Sequence, residues 1–312
     1  MNALAVVLQQ PEALKLTRLD LTPPTDDDVV VDIEWSGIST GTERLLWTGR
    51  MPQFPGMGYP LVPGYESVGR ITQAGSRSSS KVGDRVFVPG AKCFGDVRGL
   101  FGGAASRVVL PGARTIPIAD SLGEQGVLLA LAATAFHTTS GPGLQQPDLI
   151  IGHGVLGRMI ARLAVAAGKS PTVWETNPAR REGAAGYTVV DPSADTRRDY
   201  RSICDVSGDS TLLDTLISRL APGGEVVLAG FYDTPLSFIF APAFMREARI
   251  RVAAQWQPGD LVAVRDMAES GRLSLDGLIT HRHDALSADA AYRTAFGDPA
   301  CLKMTLDWRD CP

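Results

Sequence analysis

Gly152-His153-Gly154-Val155-Leu156-Gly157 has the spacing G-x-G-x-x-G. The apolar run Leu149–Ile151 precedes it and the helix-like run VLGRMIARLAVAAG overlaps its end. In that context the first glycine permits a tight turn. The second lets a pyrophosphate reach the main chain at the positive end of a helix, and the third lets helix and strand pack closely. Glu175 closes the next apolar run, 23 residues after Gly152. A carboxylate there accepts hydrogen bonds from the adenosine ribose and repels a 2′-phosphate. Together they predict NAD rather than NADP as cofactor, with Arg180 and Arg181 just downstream as the residues that argue the other way. His153, inside the loop, faces either the cofactor phosphates or solvent.

Positioning that loop requires a parallel sheet wrapped by helices. From Ser121 onward, apolar runs such as PTVWE, TVVD, ICDVSG and EVVLAG alternate with helical stretches, the pattern of a doubly wound α/β domain. SLGEQGVLLALAATAFHTTS, residues 121–140, predicts an opening helix with Ser121 as cap and Glu124 completing a capping box. The first third is different. Short Val- and Ile-rich segments (Val29–Trp35, Ser67–Thr72, Arg85–Val88, Ala105–Leu110) are punctuated by Gly, Pro and Asp, so it is a largely β region. Regular alternation fades near Ala254, and a helix (Pro258–Ser270) and a closing strand (Leu302–Trp308) follow. The expected organisation is a discontinuous catalytic domain, 1–120 and 256–312, around a nucleotide-binding domain at 121–255.

Bulk properties narrow the function classes. With 312 residues, 44% of them hydrophobic and 21% charged, the chain has material for two packed domains. A net charge of −4 without a basic block argues against a nucleic-acid partner. No apolar run reaches the length of a membrane span. Cys93, Cys204, Cys301 and Cys311 are scattered, with no C-x-x-C pair, as in a reduced cytoplasmic protein.

Along nearly its whole length the chain resembles the medium-chain dehydrogenase/reductase superfamily. The matching pieces are SGISTGTE (36–43), VPGYESVG (62–69), KVGDRV (81–86), GGAASRVVLP (102–111), AATAFHT (132–138), GHGVLG (152–157) and LITHRH (278–283). The resemblance implies a GroES-like, partly β catalytic domain with an inserted Rossmann domain, and a homodimer. Zinc members carry G-I-C-G-T-D and G-H-E. Here the first motif is Gly37-Ile38-Ser39-Thr40-Gly41-Thr42-Glu43, one residue longer and without Cys, and Tyr65 stands in place of the His. The four closely spaced cysteines of the structural zinc lobe are also absent. Hydroxyls and a phenol do not replace thiolate and imidazole, so no metal is expected.

An alcohol oxidised without zinc still has to lose its hydroxyl proton, which a side chain must take. The resemblance places Thr42 at the family's hydroxyl relay position and His137 near the nicotinamide. Tyr65, Glu66 and Glu43 are the other candidates for base or hydrogen-bond partner; the alternatives are that Glu66 pairs with an arginine inside the domain, that Tyr65 fills the vacated zinc cavity and that His137 is a hydrogen-bonded helix residue. GISTGTE, PGYESVG and the ending CLKMTLDW resemble a branch that passes hydride to NAD. Members of this branch oxidise the C3 1-hydroxyethyl group of a (bacterio)chlorophyllide to 3-acetyl. Such a flat tetrapyrrole needs a wide apolar pocket. Between the altered motifs, the loop at 45–63 supplies Trp47, Met51, Phe54, Met57 and Tyr59, either as a wall of that pocket or as a packed loop or subunit contact. The alternatives are a zinc-free NADPH-dependent quinone or enone reductase, and a nucleotide-binding protein without catalysis.

Overall fold

Val29, Val30 and Val31 lie in the strand Asp28–Ile38, the spine of a seven-stranded sheet. One edge of this strand pairs antiparallel with Ser67–Ala74. Its other edge pairs first with Arg107–Pro111 and then with Met304–Asp307. The closing strand of the chain is thereby brought beside Gly37 and Ile38, at the start of the first altered motif. A four-stranded sheet is built from Ala13–Asp20, Asn2–Gln10, Leu61–Val62 and Arg98–Gly99. The computed structural model describes residues 1–52, 55–141, 143–253 and 255–311.

The chain divides into two compact units, Met1–Ala130 with Leu275–Pro312, and Leu131–Ser274. The first is discontinuous, but both boundaries lie later than 120 and 256. The helix Pro258–Glu269 belongs to the second unit, where Asp260 in its first turn bonds His137. The continuous helix expected over 121–140 is also corrected. Asp120–Leu128 is a 3₁₀ segment broken at Gly123 (φ 47°), and the α-helix begins at Leu129. With the turn broken there, Ser121 caps nothing. Glu124 instead accepts hydrogen bonds from Thr305 and Arg282.

In the second unit six parallel strands run in the order Thr188–Val190, Thr172–Trp174, Leu149–Ile151, Tyr200–Asp205, Leu220–Leu228, Arg249–Val252. The first strand in sequence lies third, so the connections run outward from it in both directions. This is the Rossmann arrangement, with the ligand crevice where the order reverses. The connection between Trp174 and Thr188 contains no α-helix, only the single turn Pro178–Arg180. Among the described residues no helix is long and apolar enough to cross a membrane.

Candidate active site

The glycine-rich turn has the shape its spacing demands. Gly152 has φ 100°, which side chains disfavour. A Cβ on Gly157 would overlap the carbonyl oxygen of Gly152, whereas one on Gly154 would meet nothing within 4 Å. Open space therefore lies over the second glycine, at the start of the helix Val155–Ala166, where a pyrophosphate fits. Val155 and Leu156 begin that helix, Val155 being buried. Glu175 accepts from the main-chain N–H of His153 (3.0 Å) and of Asn177 (2.8 Å). His153 faces neither phosphates nor solvent. Its ring is wholly buried, between the carbonyl of Arg180 (2.6 Å) and the hydroxyl of Tyr187 (2.8 Å). Burial lowers its pKa to about 4, so the ring is neutral at pH 7.

In the first unit the two altered motifs meet. Tyr65 Oη lies 2.9 Å from Ser39 Oγ and 3.4 Å from Thr42 Oγ1. The main chain joins the same motifs, with Gly37 N–H donating to the carbonyl of Glu66 (2.7 Å). A Cβ on Gly37 would press on a carboxylate oxygen of Glu66, so glycine lets the two motifs approach closely here. Phe101 meets the Tyr65 ring edge-on, with centroids 5.4 Å apart. Desolvation, followed by the charge of Glu66, raises the phenol's pKa. Tyr65 therefore stays protonated at neutral pH.

Behind the hydroxyls lies a layer of buried charge. Glu66 is completely buried and pairs with Lys303 Nζ (2.6 Å), itself 1% exposed. The same Nζ donates to the carbonyl of Ile38 (3.2 Å). Glu66 Oε1 has no partner among the described residues. Glu43 accepts from the Tyr292 hydroxyl (2.6 Å) and from Ser39 N–H (3.2 Å). Burial is the main cause that raises its pKa to about 7. Glu43 and Glu66 are thus engaged by protein groups behind Ser39 and Tyr65. Ser39, Lys303 and Tyr292 were not singled out from sequence. Ser39 carried a signal, as the hydroxyl where a thiolate is usual. A lysine in a closing strand and a tyrosine in an amphipathic helix gave none.

The remaining candidates separate. Trp47 is 6% exposed and packs against Tyr292 and Phe296, with ring centroids 6.0 and 6.1 Å apart. Its ring belongs to the core, which corrects the expectation of a pocket wall. Met51, Met57 and Tyr59 are partly buried against the same core, and the Tyr59 hydroxyl donates to the carbonyl of Leu46. Phe54 lies outside the described residues. His137, in the second unit, has Nδ1 2.8 Å from Asp260 Oδ2. Among the described residues no three His, Cys, Asp or Glu side chains cluster to hold a metal ion.

A GroES-like domain interrupted by a Rossmann domain defines a dehydrogenase of the medium-chain class. Residues 25–120 match the alcohol dehydrogenase GroES-like domain. The chain is 58% identical over 312 residues to 2-desacetyl-2-hydroxyethyl bacteriochlorophyllide A dehydrogenase of Rhodobacter capsulatus, covering 99% of each. To the enzyme of the same name from Cereibacter sphaeroides it is 56% identical over 315 residues, again 99% of each. The chain belongs to the alcohol dehydrogenase family, in the group these two enzymes form. Solved structures with the same fold include an E. coli alcohol dehydrogenase (rspB) complexed with NADH and 2R,3R-butanediol dehydrogenase of Bacillus subtilis. Both have TM-score 0.84, at 22% and 20% identity, and each match covers 98% of this chain and 99% of the other.

Proposed function

We propose that the protein oxidises the C3 1-hydroxyethyl group of a bacteriochlorophyllide to a 3-acetyl group, with NAD as acceptor and without zinc. The observation that carries the substrate is the 58% identity, over the whole chain, to an enzyme named for that pigment. NAD over NADP is supported by Glu175 and by the state of Arg181. That guanidinium is occupied by the carbonyls of Glu175 (2.8 Å) and Thr176 (3.0 Å) and by Asp191, and so is not turned out toward a 2′-phosphate. Zinc independence is supported by the donors at the altered motifs. Ser39 and Tyr65 offer hydroxyls already bonded to each other, and Glu66 is committed to Lys303, which does not fit a catalytic zinc.

Bound NAD supplies the hydride acceptor. The chain's own part is the proton. Ser39 holds the Tyr65 hydroxyl from the buried side, leaving it to bond the alcohol oxygen. As hydride leaves carbon, the alcohol proton moves to Tyr65 Oη. The phenol's proton passes to Thr42 Oγ1, and that of Thr42 to water. No charge rests on the phenol, which agrees with its raised pKa. His137, fixed by Asp260, is assigned to orienting substrate.

Met51, Met57 and Tyr59 are assigned to the substrate loop. A homodimer is supported by an open sheet edge with an apolar surface around it, in the second unit. Four scattered free cysteines suit the cytoplasm.

The test is absorbance spectroscopy of purified, metal-analysed protein with NAD and the 3-hydroxyethyl pigment. A shift of the long-wavelength band with matching NADH formation, at negligible zinc, is the expected outcome. Absence of a shift, with turnover of a quinone by NADPH, would replace this reading by a reductase.

A further inference from the structure

We propose that His153 is a positioning residue for the dinucleotide, pinning residues 176–187 over the glycine-rich turn and fixing the aim of the Glu175 carboxylate. The proposal rests on the reading that this turn binds NAD.

Neighbouring parallel strands are usually joined by a helix whose apolar face packs on the sheet. The connection from Trp174 to Thr188 has only the turn Pro178–Arg180. It offers no helix face, so polar contacts have to hold it. His153 supplies them with every polar group it has. Its N–H donates to Glu175 Oε2 (3.0 Å), and its carbonyl accepts from Arg158 Nε (3.0 Å). Its Nδ1 faces the carbonyl of Arg180 (2.6 Å), which can only accept, so Nδ1 carries the proton. Nε2 is then the acceptor for the Tyr187 hydroxyl (2.8 Å). Arg158, buried on the following helix, adds bonds to the carbonyls of Arg180 (2.9 Å) and Glu182 (2.8 Å).

The consequence falls on Glu175. One of its oxygens is held by His153 N–H and the other by Asn177 N–H, within the connection that the imidazole pins. Each carboxylate oxygen retains a lone pair for the ribose hydroxyls. The acceptor is preset before ligand arrives, which spares the ordering cost that a loose loop would add to binding. A Rossmann turn requires no imidazole at the second position of G-x-G, so this is a feature of this chain's shortened crossover.

Isothermal titration of His153→Ala and His153→Gln with NAD, NADP and ADP-ribose tests the proposal. His153→Ala removes both imidazole hydrogen bonds and is expected to raise Kd for NAD and ADP-ribose alike, by about tenfold, as the connection has to be ordered on binding. It should narrow the preference for NAD over NADP and raise KM for NAD rather than lower kcat. His153→Gln, which can both donate and accept, should recover part of the affinity. A folded His153→Ala protein with unchanged Kd for ADP-ribose would overturn the proposal. Should that variant not fold, Tyr187→Phe, which removes a single hydroxyl, decides by the same titration. If the wild-type protein bound NADP more tightly than NAD, the cofactor reading would fall, while the ADP-ribose result would still decide the role of His153.

Discussion

Lys303 Nζ lies 2.6 Å from Glu66 Oε2 and 3.2 Å from the carbonyl of Ile38. One buried ammonium therefore grips the residue before Ser39 and the residue after Tyr65, and so sets the distance between the two hydroxyls. Removing one partner of a buried pair strands the other charge, at a cost of about 3–5 kcal/mol. Lys303→Met should lose stability on that scale in urea unfolding. Glu66→Gln combined with Lys303→Met should recover most of it, since no charge is left unpaired. The double variant should nevertheless turn over more slowly than wild type, because the grip on Ile38 is gone. A single variant as stable as wild type would remove the clamp from the account.

Glu43 gives a pH dependence of definite sign. Its folded pKa of about 7 lies above the ordinary carboxylate value. The folded state therefore keeps a proton that the unfolded state releases. Stability from this group is full below pH 4.5 and is lost as pH rises through about 7. The shift corresponds to about 3 kcal/mol as an order of magnitude, for a side chain almost wholly out of water. Glu43→Gln stays neutral throughout, with its amide able to donate to the Tyr292 oxygen. The difference in melting temperature between wild type and Glu43→Gln should therefore shift in favour of the variant between pH 5 and 8. A difference that is flat over that range would show that Glu43 does not titrate there.

The hydroxyl chain predicts a separation of chemistry from cofactor binding. Tyr65→Phe keeps the ring against Phe101 and removes only Oη. Loss of a positioned proton-transfer group reduces turnover by about 10²–10⁴-fold. Ser39→Ala, which only supports the phenol, should cost less. NAD affinity, measured by titration, should be unchanged in both. Tyr65→Phe with wild-type turnover would dismiss the phenol as a proton carrier.

Trp47 exchanges an expected role for a packing one. Its ring lies among Tyr292, Phe296 and Arg293. Trp47→Ala should destabilise the protein by roughly 3–5 kcal/mol, as in other large-to-small core changes. KM for the pigment should be unchanged in the protein that remains folded. A raised KM without a change in unfolding midpoint would return Trp47 to the substrate pocket.

What sequence made legible follows from the range of the interactions involved. The G-x-G-x-x-G turn, the strands around it and the helix ended by Gly168 are fixed by local backbone chemistry, and the structure has them. The pair Ser39 and Tyr65 was visible as two substitutions, but their 2.9 Å contact was not, since it depends on the register in which Asp28–Ile38 pairs with Ser67–Ala74. Lys303 reaches Glu66 across 237 residues and Tyr292 reaches Glu43 across 249. No periodicity encodes such pairs. Gly123 misled for a different reason. An isolated glycine in an apolar run is compatible with a helix, and only its observed φ reveals the break.

The open edge of the six-stranded sheet predicts how copies of the chain associate. Arg249–Val252 ends the strand order and, among the described residues, pairs only with Leu220–Leu228. Val252 is 73% exposed, and Phe240, Phe244 and Met245 on the neighbouring helix are 65–76% exposed. An unprotected edge beside so much apolar surface favours pairing with another edge. Two copies meeting edge to edge would satisfy both strands at once by a two-fold axis. Sedimentation of the wild-type protein should therefore show a dimer. Val252→Asp places a charge on that edge at a solvent-exposed position, so the fold should be kept while the dimer dissociates. A wild-type monomer at micromolar concentration, or a dimer indifferent to Val252→Asp, would mean that this edge is not the interface.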